Sequence, residues 1–330
     1  MTDLYSLSIS ARATLDMHSL NNEGGEGNQI QTRMVNIVGQ DGRLHNTNAV
    51  SGDMLKHILT EHYFRVAARK GLPLCAGCRE FNANRIAADD GYRAMVVDKT
   101  NTDVMLTDEL LQRCALDDVA GNLITEGGRS LPRKSVVEFG WMVGLPEITV
   151  TDSYFHVKYA SERSEARRTK DASEEQRGAN LQQAIFHRPA SSGVYAIVAH
   201  VELARIGFND ITQQYVIDRE ERGRRYIALL ESLLYSFLEP NGAMRGTQNP
   251  HILNVEGVVS HSSSTTPAPT ISPLNDEYAA QIRGIAAALE PVKPGVIGLE
   301  EFGSLPDLTG IFTRLIQQTA PFELRYAGGS

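Results

Sequence analysis

The chain has 330 residues, of which 42% are hydrophobic and 22% charged, a globular composition that excludes wholesale disorder. Its formal net charge of −8 excludes a uniformly basic nucleic-acid-binding sleeve but allows a local basic path on an acidic body. The N-terminal residues lack the apolar core of a secretory signal, and no run approaches the roughly 18 apolar residues of a membrane span. Three cysteines are too few and too odd in number for a disulfide framework. We therefore expect a soluble, cytoplasmic protein without a membrane partner.

Two strands, a glycine-rich loop and a helix are predicted in the first part of the chain. Polar and apolar residues alternate over 5–15, which predicts a strand with its apolar side chains on one face. Residues 18–29 are polar and glycine-rich and predict a loop, and residues 33–38 predict a second strand. Ser51 is a suitable N-cap for a helix that Gly71 ends.

The rest of the chain alternates between irregular and regular stretches. Residues 75–134 are polar and rich in turns, and we interpret them as an insertion on the core fold. Residues 160–183 are charged and too weakly apolar to bury themselves, and residues 261–273 predict a mobile loop by composition. The remaining predictions are strands at 135–143, 148–157 and 194–206, and helices at 218–239, near 275–290 and near 306–318.

The order of these elements decides the expected fold class. Helices and strands interleave without a regular βαβ rhythm and without a repeat of fixed period. This order favours an α+β sandwich, in which one antiparallel sheet is backed by helices, over a doubly wound parallel sheet.

The glycine-rich loop is a candidate ligand contact, although it matches no nucleotide-binding motif. GGEGNQ fits neither the G-x-x-x-x-G-K-[ST] loop nor G-x-G-x-x-G, and Glu23 and Glu26 would repel phosphate. Two interpretations stay open. One is a flexible connection between strands, and the other is a loop whose backbone amides and Asn21, Asn22 and Asn28 side chains approach a ligand closely.

A second candidate is the start of the helix, SGDMLKH. Free amides at a helix N-terminus bind anions, and Ser51, Gly52, Lys56 and His57 would lie near such an anion. An ordinary capped helix is the favoured alternative, because Asp53 can itself satisfy the helix N-terminus.

Two basic stretches are candidates for phosphate contact. GGRSLPRKS carries Arg129, Arg133 and Lys134 without an acid, and its glycines and proline keep it out of regular structure. A solvated surface turn explains that stretch equally well. The stretch 158–188 has seven basic residues against five acids. Because strands flank this stretch, we expect it to project from the sheet, with a plain solvated helix or hairpin as the alternative.

The cysteines form one candidate metal site. Cys75-Ala-Gly-Cys78 has the spacing of a metal knuckle, which supplies two of the four ligands of tetrahedral zinc. Cys114 with His62 or His57 could complete the set, although no second paired motif is evident. A structural zinc is therefore one hypothesis, and a tight turn with two reduced thiols is the alternative.

Hydrolytic and transfer chemistry finds little support in the sequence. No H-E-x-x-H, G-x-S-x-G or kinase set occurs. The adjacent acids Asp89–Asp90 and Asp117–Asp118 are typical of polar turns. We predict no catalytic residue and no required cofactor.

Three motifs, taken together in order and spacing, resemble a CRISPR protein family. They are SISARATLDMHSLNNEGGEGNQIQTRMVNIV, NAVSGDMLKH and DVAGNLITEGGRSLPRKSVVEFGWMVGLPE. The chain resembles the crRNA-binding backbone subunit of type I surveillance complexes, or Cascade (the "Cas seven" family, DevR autoregulator branch, closest to subtypes I-A and I-B). The resemblance is clearest over residues 5–155 and looser to about 260.

This resemblance implies an α+β fold with an RRM-like, ferredoxin-like palm, an inserted helical region and a thumb β-hairpin. Copies of such a subunit assemble into a helical filament along the guide RNA and leave segments of it free to pair with target DNA. The implied divisions are palm strands and the glycine-rich loop at 1–50, the palm helix and insertion at 51–134, palm strands at 135–157, the thumb at 158–190, and palm strands with C-terminal helices at 191–330.

The resemblance also implies which residues contact RNA, in a sequence-independent way, and which partners the chain has. The partners are the CRISPR guide RNA, target DNA through the guide, copies of the chain itself, other Cascade subunits and a helicase-nuclease. The implied RNA contacts are Ser19, Asn21, Asn22, Gly24, Gly25, Gly27, Asn28, Ser51, Gly52, Lys56, His57, Arg129, Arg133, Lys134, Arg163, Arg167, Arg168, Lys170, Arg188 and Arg245.

One alternative from a different class is an endoribonuclease of the RAMP type, since related subunits of type III complexes cut target RNA with a loop aspartate. The glycine-rich loop here holds Glu23 and Glu26 but no aspartate, which weighs against cleavage. A transcriptional role is weaker, because no helix-turn-helix signal occurs.

Overall fold

The computed structural model describes residues 1–21, 24–26, 29–158, 184–242 and 249–325. Its strands in chain order are β1 (Thr2–Leu4), β2 (Ser6–His18), β3 (Gly24–Glu26), β4 (Gln29–Gln31), β5 (Met34–Val38), β6 (Leu44–Val50), β7 (Asn122–Ile124), β8 (Leu131–Arg133), β9 (Val137–Phe139), β10 (Met142–Gly144), β11 (Val150–Lys158), β12 (Ala184–Val201), β13 (Phe208–Asn209), β14 (Gln214–Tyr215), β15 (His251–Ser262), β16 (Ile297–Phe302) and β17 (Thr319–Pro321). The helices are α1 (Gly52–Lys70), α2 (Ala76–Arg79), α3 (Asp90–Val97), α4 (Asp103–Arg113), α5 (Ala115–Ala120), α6 (Arg219–Leu238), α7 (Tyr278–Leu289) and α8 (Leu305–Gln318).

One large, mainly antiparallel sheet organises the protein. Its central path runs β16-β15-β2-β12-β10-β6-β5, and β3, β4, β9 and β11 pair at its margins. The two long strands β2 and β12 are antiparallel neighbours, with Ala11 opposite Ile197. A large antiparallel sheet with helices is the α+β class that the order of elements predicts, and that prediction is confirmed.

The main core lies between one face of this sheet and the helices α1 and α6. Leu7, Ile9 and Ala11 of β2 are wholly buried on this face, as the alternation over 5–15 predicts. The two helices contact each other and close the layer, with Leu59 of α1 and Leu233 of α6 also buried. Burying each large aliphatic side chain contributes about 1.5–3 kcal/mol, so this layer dominates the stability of the fold.

The opposite face of β2 is covered by the segment 263–276. Ser8 Oγ donates to the carbonyl of Ala268, and Ser6 Oγ accepts from its amide, both at 3.1 Å. Arg12 donates through Nε and Nη2 to the Pro273 carbonyl at 2.9 and 2.7 Å. The composition correctly predicts an irregular path, but predicting a mobile loop for 261–273 is wrong. The first two of those residues end β15, and the rest is hydrogen-bonded to the sheet.

The insertion at 75–134 is more regular than its composition suggests. It contains α2 to α5, and all four of these helices begin at side-chain N-caps, which are Cys75, Asp89, Thr102 and Cys114. Short helices with many polar residues give weak periodicity, so the caps are the stronger local signal. Most of the stretch 75–134 is therefore regular and largely helical, and the irregular description is wrong for it.

Several other boundaries differ from the sequence-based ones. β6, β15 and β16 were not predicted, and β12 begins ten residues earlier than the predicted strand at 194. β11 and β12 form one antiparallel ladder from Val150–Ser192 to Lys158–Ala184. The charged stretch between them, at 159–183, lies outside the described residues. Among the described helices, none has the length and apolar character that crossing a bilayer requires.

Candidate nucleic-acid interface

The end of β2 and the start of α1 are joined by Asn21 and Ser51. Ser51 is the N-cap of α1, and its Oγ accepts from the Met54 amide at 3.1 Å. The same hydroxyl donates to Asn21 Oδ1 at 3.2 Å. Asn21 is itself fixed, because its carbonyl accepts from Thr32 Oγ1 at 2.7 Å. The first residues of the glycine-rich loop and the helix start, two separate sequence candidates, therefore lie side by side.

Gly52 allows this helix start to approach the sheet. A Cβ at this position would lie 2.5 Å from the carbonyl oxygen of Phe139, which is a rigid backbone atom at the end of β9. The structure therefore gives Gly52 a packing role. Its amide is one of the free N–H groups at the start of α1, so a contact with an anion stays a prediction.

A groove runs along the first turns of α1. Asp53, Lys56, His57 and Thr60 lie on one face of the helix at i, i+3, i+4 and i+7. The turn that follows α2 forms the facing wall with Phe81, Asn82 and Arg85, and the groove between them has a volume of about 430 Å³. The His57 and Phe81 rings are 5.8 Å apart. We refer to this feature as the α1 groove.

Two cations face each other across the α1 groove. Burial, followed by the nearby charge of Arg85, lowers the pKa of Lys56. Within the described ranges, Lys56 forms no ion pair, and the Nε of Arg85 is 3.9 Å from the Asp117 carboxylate. Asp53 and Glu138 offset the repulsion in part. An anion bound between two such cations would be attracted by both of their charges. Lys56 was a sequence candidate, whereas Arg85, inside a region treated as irregular, was missed.

The glycine-rich loop returns to the sheet beside the strands that lead to the charged excursion. β3 and β4 pair, and Gln29 of β4 lies opposite His187 of β12. The His187 ring contacts Phe155 of β11 at 5.6 Å. Gly24 and Gly25 are exposed on β3, and Gly24 adopts a φ of 109° that favours glycine. The loop and the base of the excursion, both sequence candidates, are thus brought together.

Exposed aromatic rings accompany these elements. Tyr154 and Phe155 of β11 are 40% and 59% exposed. Trp141, the sole tryptophan, is 43% exposed, and the guanidinium of Arg33 lies 5.4 Å from its ring. Trp141 directly follows the Phe139–Gly140 backbone that contacts Gly52. None of these rings was a sequence candidate, although one exposed tryptophan beside a basic residue is a usable signal.

The basic turn at 127–135 is not a free positive patch. Arg133 is buried and donates to Asp118 Oδ1 at 2.7 Å, to the Phe208 carbonyl at 2.7 Å and to the Arg205 carbonyl at 2.8 Å. Arg129 is held by Asp103 and three backbone carbonyls. Acids from distant parts of the chain neutralise both guanidinium groups, so we remove them from the expected RNA contacts.

The remaining sequence candidates divide into two groups. Ser19 is buried beside Asn21, Lys134 is exposed and paired with Glu138 and Glu202, and Arg188 is half-buried on β12. The others lie outside the described residues and stay predictions. They are Asn22, Gly27, Asn28, Arg163, Arg167, Arg168, Lys170 and Arg245.

The three cysteines come together in the insertion, with an aspartate. Cys75, Cys78, Cys114 and Asp117 are all buried, and their ligand atoms lie within 4.8 Å of one another. Burial and the nearby Cys114 thiol raise the pKa of Asp117 to about 8. The expectation that His62 or His57 completes this set is wrong, because the fourth acidic group is Asp117.

The two adjacent acid pairs also differ from expectation. Asp117 and Asp118 are both wholly buried, so predicting a polar turn for them is wrong. Asp89 is buried and caps α3, while Asp90 is exposed. Partners that are distant in the sequence, and hence invisible to local patterns, account for the buried carboxylates.

Comparisons with known proteins give one family match. The model of the family described as "CRISPR-associated negative auto-regulator DevR/Csa2" matches residues 9–283. No curated protein matches the sequence. Among solved structures, chains of "CRISPR RNA-guided surveillance complex, pre-nicking" and "CRISPR RNA-guided surveillance complex" are each 14% identical, with a TM-score of 0.45. Both cover 94% of this chain, and 99% and 98% of their own. Thermofilum pendens Csc2 is 13% identical with a TM-score of 0.37, covering 92% of this chain and 80% of its own.

Proposed function

Because the chain belongs to the DevR/Csa2 family of CRISPR-associated proteins, we propose that it is a backbone subunit of a type I surveillance complex. In this role it binds CRISPR guide RNA without regard to sequence and presents the guide for pairing with target DNA. The partners are the guide RNA, further copies of this chain, other subunits of the complex and a helicase-nuclease, all in the cytoplasm. The role requires positioning but no chemical step, so we propose that the subunit is not an enzyme.

The observation that carries this proposal is the pair of cations in the α1 groove. Lys56 and Arg85 face each other beside the free amides at the start of α1. Phosphate binding at such a place uses charge and backbone N–H groups and carries no sequence information. A guide with a variable spacer must be held by contacts of this kind.

Exposed aromatic rings support single-stranded RNA as the ligand. Trp141, which follows the backbone packed against Gly52, and Tyr154 and Phe155 of β11 are exposed to solvent. Bases of any identity stack on such rings, which contributes about 1–3 kcal/mol per base. Exposed rings, together with the cations of the α1 groove, fit a strand held by its backbone and by stacking.

The connectivity of the core supports an RRM-like palm. The elements β2, α1, β10, β12, α6 and β15 follow one another as β-α-β-β-α-β, and their strands lie in the order β15-β2-β12-β10. This is the arrangement of a ferredoxin-like sandwich. The sheet face opposite α1 and α6 is covered by 263–276 and α7. Many RRM domains bind RNA on an exposed face of the sheet. Because that face is covered here, we propose that RNA follows the end of the palm at which α1 begins.

Copurifying nucleic acid is the first test. The chain, expressed in cells that also transcribe a matching CRISPR array, should purify as assemblies with discrete RNA and a raised ratio of absorbance at 260 to 280 nm. Purified chain should bind several unrelated single-stranded RNAs of one length with the same affinity. A monomer free of RNA and indifferent to added transcript would contradict the proposal.

The absence of catalysis is tested separately. The assembled protein should leave complementary RNA intact in the presence of Mg²⁺. Site-specific cuts that Glu23→Ala abolishes would instead identify an endoribonuclease of the RAMP type.

A further inference from the structure

We propose that Cys75, Cys78, Cys114 and Asp117 bind a structural zinc ion, with three thiolates and one carboxylate as ligands. The four ligand atoms lie within 4.8 Å of one another, and all four residues are buried. Ligands about 2.3 Å from a central zinc ion stand about 3.8 Å apart in a tetrahedron. The cluster therefore needs only a small inward movement to reach tetrahedral geometry.

Two turns of the same design supply the ligands. Cys75 is the N-cap of α2 and its Sγ accepts from the Cys78 amide at 3.3 Å. Cys114 is the N-cap of α5 and its Sγ accepts from the Asp117 amide at 3.4 Å. The sequence C-x-x-D at 114–117 thus repeats the C-x-x-C knuckle at 75–78 with a carboxylate in the second position. Amide donors to sulfur favour the thiolate, which is the form that binds zinc.

The carboxylate of Asp117 is oriented toward the sulfur atoms. Its Oδ2 lies 3.5 Å from Cys75 Sγ and 3.3 Å from Cys78 Sγ. Its Oδ1 accepts from Asn122 Nδ2 at 2.8 Å and faces Arg85 Nε at 3.9 Å. One oxygen is therefore available to a metal, while the other is held by surrounding residues, as is usual for carboxylates that bind metals.

A bound cation would compensate the negative charge that these four acidic groups carry when they are ionised. Four acidic groups buried together cannot all ionise without a compensating charge, because each isolated buried charge costs several kcal/mol. A divalent ion with three thiolates and one carboxylate leaves two negative charges, and Arg85 lies beside them. Soft thiolate ligands select zinc over magnesium or calcium. Four protein ligands leave no open position, so the site is structural and not catalytic.

The site would anchor one wall of the α1 groove. A Cβ on Gly77, inside the first knuckle, would collide with the carbonyl oxygen of Arg85, so the turn at 81–85 packs directly on the knuckle. Phe81 and Arg85 have φ angles of 51° and 48°, which non-glycine residues seldom adopt without support.

Metal analysis of the unmodified chain is the primary test, since it needs no variant. Protein expressed in zinc-supplemented medium and purified without chelator should contain one zinc ion per chain. After removal of zinc under reducing conditions, Co²⁺ should give the visible spectrum of tetrahedral coordination together with thiolate-to-cobalt charge transfer. A chain that contains no zinc and gives no such cobalt spectrum overturns the proposal.

Variants assign the ligands. Cys78→Ser and Asp117→Asn should lower the zinc content well below one per chain, and Asn122→Ala should weaken zinc binding by about 10- to 100-fold while keeping the stoichiometry. Asp90→Asn, an exposed carboxylate in the same insertion, is the matched control and should retain one zinc ion. Full zinc content in both Cys78→Ser and Asp117→Asn would place the metal elsewhere and refute the site.

Discussion

Asp118 and Arg225 face each other in the interior of the protein, with 2.9 Å between Asp118 Oδ2 and Arg225 Nη1 and no exposure of either side chain. The other oxygen of Asp118 accepts from Arg133 Nη2 at 2.7 Å, and both oxygens accept from the Gly207 amide. One carboxylate thus ties α5 of the insertion to α6 of the core and to the turn at Arg133. The ion cluster therefore holds α5 and the turn at Arg133 against α6.

Removing this carboxylate should destabilise the whole fold. Asp118→Asn removes the buried carboxylate that Arg133 and Arg225 share and leaves them only the less buried Asp210 and Glu221 as charged partners. Breaking a buried pair in this way costs about 3–5 kcal/mol. Urea denaturation followed by circular dichroism measures the loss. Asp90→Asn, whose side chain is 96% exposed, should change stability by less than about 0.5 kcal/mol. Equal unfolding midpoints for the two variants would show that the ion cluster contributes nothing.

Stability should fall as the pH drops below 6.5 because of His18. Burial lowers the pKa of His18 from 6.5 to about 4, and its ring packs on Tyr195 at 4.8 Å. Between these two pH values the unfolded chain binds a proton at this residue and the folded chain does not, so acidification favours unfolding. The loss approaches about 3 kcal/mol at pH 4.

The pH slope isolates this contribution from that of the acidic residues. His18→Gln should remove the corresponding part of the slope, whatever its effect on stability at pH 8. An identical slope in wild-type protein and His18→Gln would rule out His18 as the source.

Structural features that depend on residues close together in the sequence, such as the ends of a helix, were predicted correctly. Ser51 and Gly71 bound α1 as expected, because an N-cap hydroxyl and a left-handed C-cap act within one helical turn. The composition of the turn at 127–135 indicates a local positive charge at Arg133. In the structure Arg133 pairs with Asp118, an acid outside this turn that comes close to it only in the folded chain. Arg225 is 107 residues from Asp118, and no periodicity links them. For the same reason, C-x-x-D at 114–117 indicates a metal site only in the folded chain, where it lies beside C-x-x-C at 75–78.

Gly52 should tolerate no side chain. Gly52→Ala would place a Cβ 2.5 Å from the Phe139 carbonyl oxygen, and overpacking of this kind costs about 1–3 kcal/mol. Gly223→Ala in α6 meets no atom of the described residues within 4 Å and should stabilise the helix by up to about 1 kcal/mol. Thermal unfolding of the two variants distinguishes the effects. A neutral Gly52→Ala would mean that α1 and β9 are farther apart than in this structure.

Arg12 should hold the segment 263–276 on the sheet. Its guanidinium binds the Pro273 carbonyl and, at 2.6 Å, Asp276. Arg12→Ala should speed amide hydrogen exchange at residues 268–276 by about tenfold or more, because hydrogen bonds from a charged donor contribute about 1.5–3 kcal/mol. Arg283→Ala removes an exposed pair with Glu301 and is the control, with no change expected at 268–276. Unaltered exchange in Arg12→Ala would show that the serine contacts of β2 suffice.

Lys56 should contribute to RNA affinity through charge alone. Lys56→Ala removes one of the two cations of the α1 groove, so it should weaken binding to all RNA sequences equally. The slope of log affinity against log salt should fall by about 0.7, the value for one phosphate contact on a single strand. The fluorescence of the sole tryptophan, Trp141, reports binding without a label. Lys293→Ala, an exposed lysine beyond α7, should leave both quantities unchanged. Arg133→Ala should instead unfold the protein, because its buried partner Asp118 loses a counterion. Losses with Lys56→Ala that depend on RNA sequence would mean that the groove contacts bases, which contradicts a subunit able to hold any spacer.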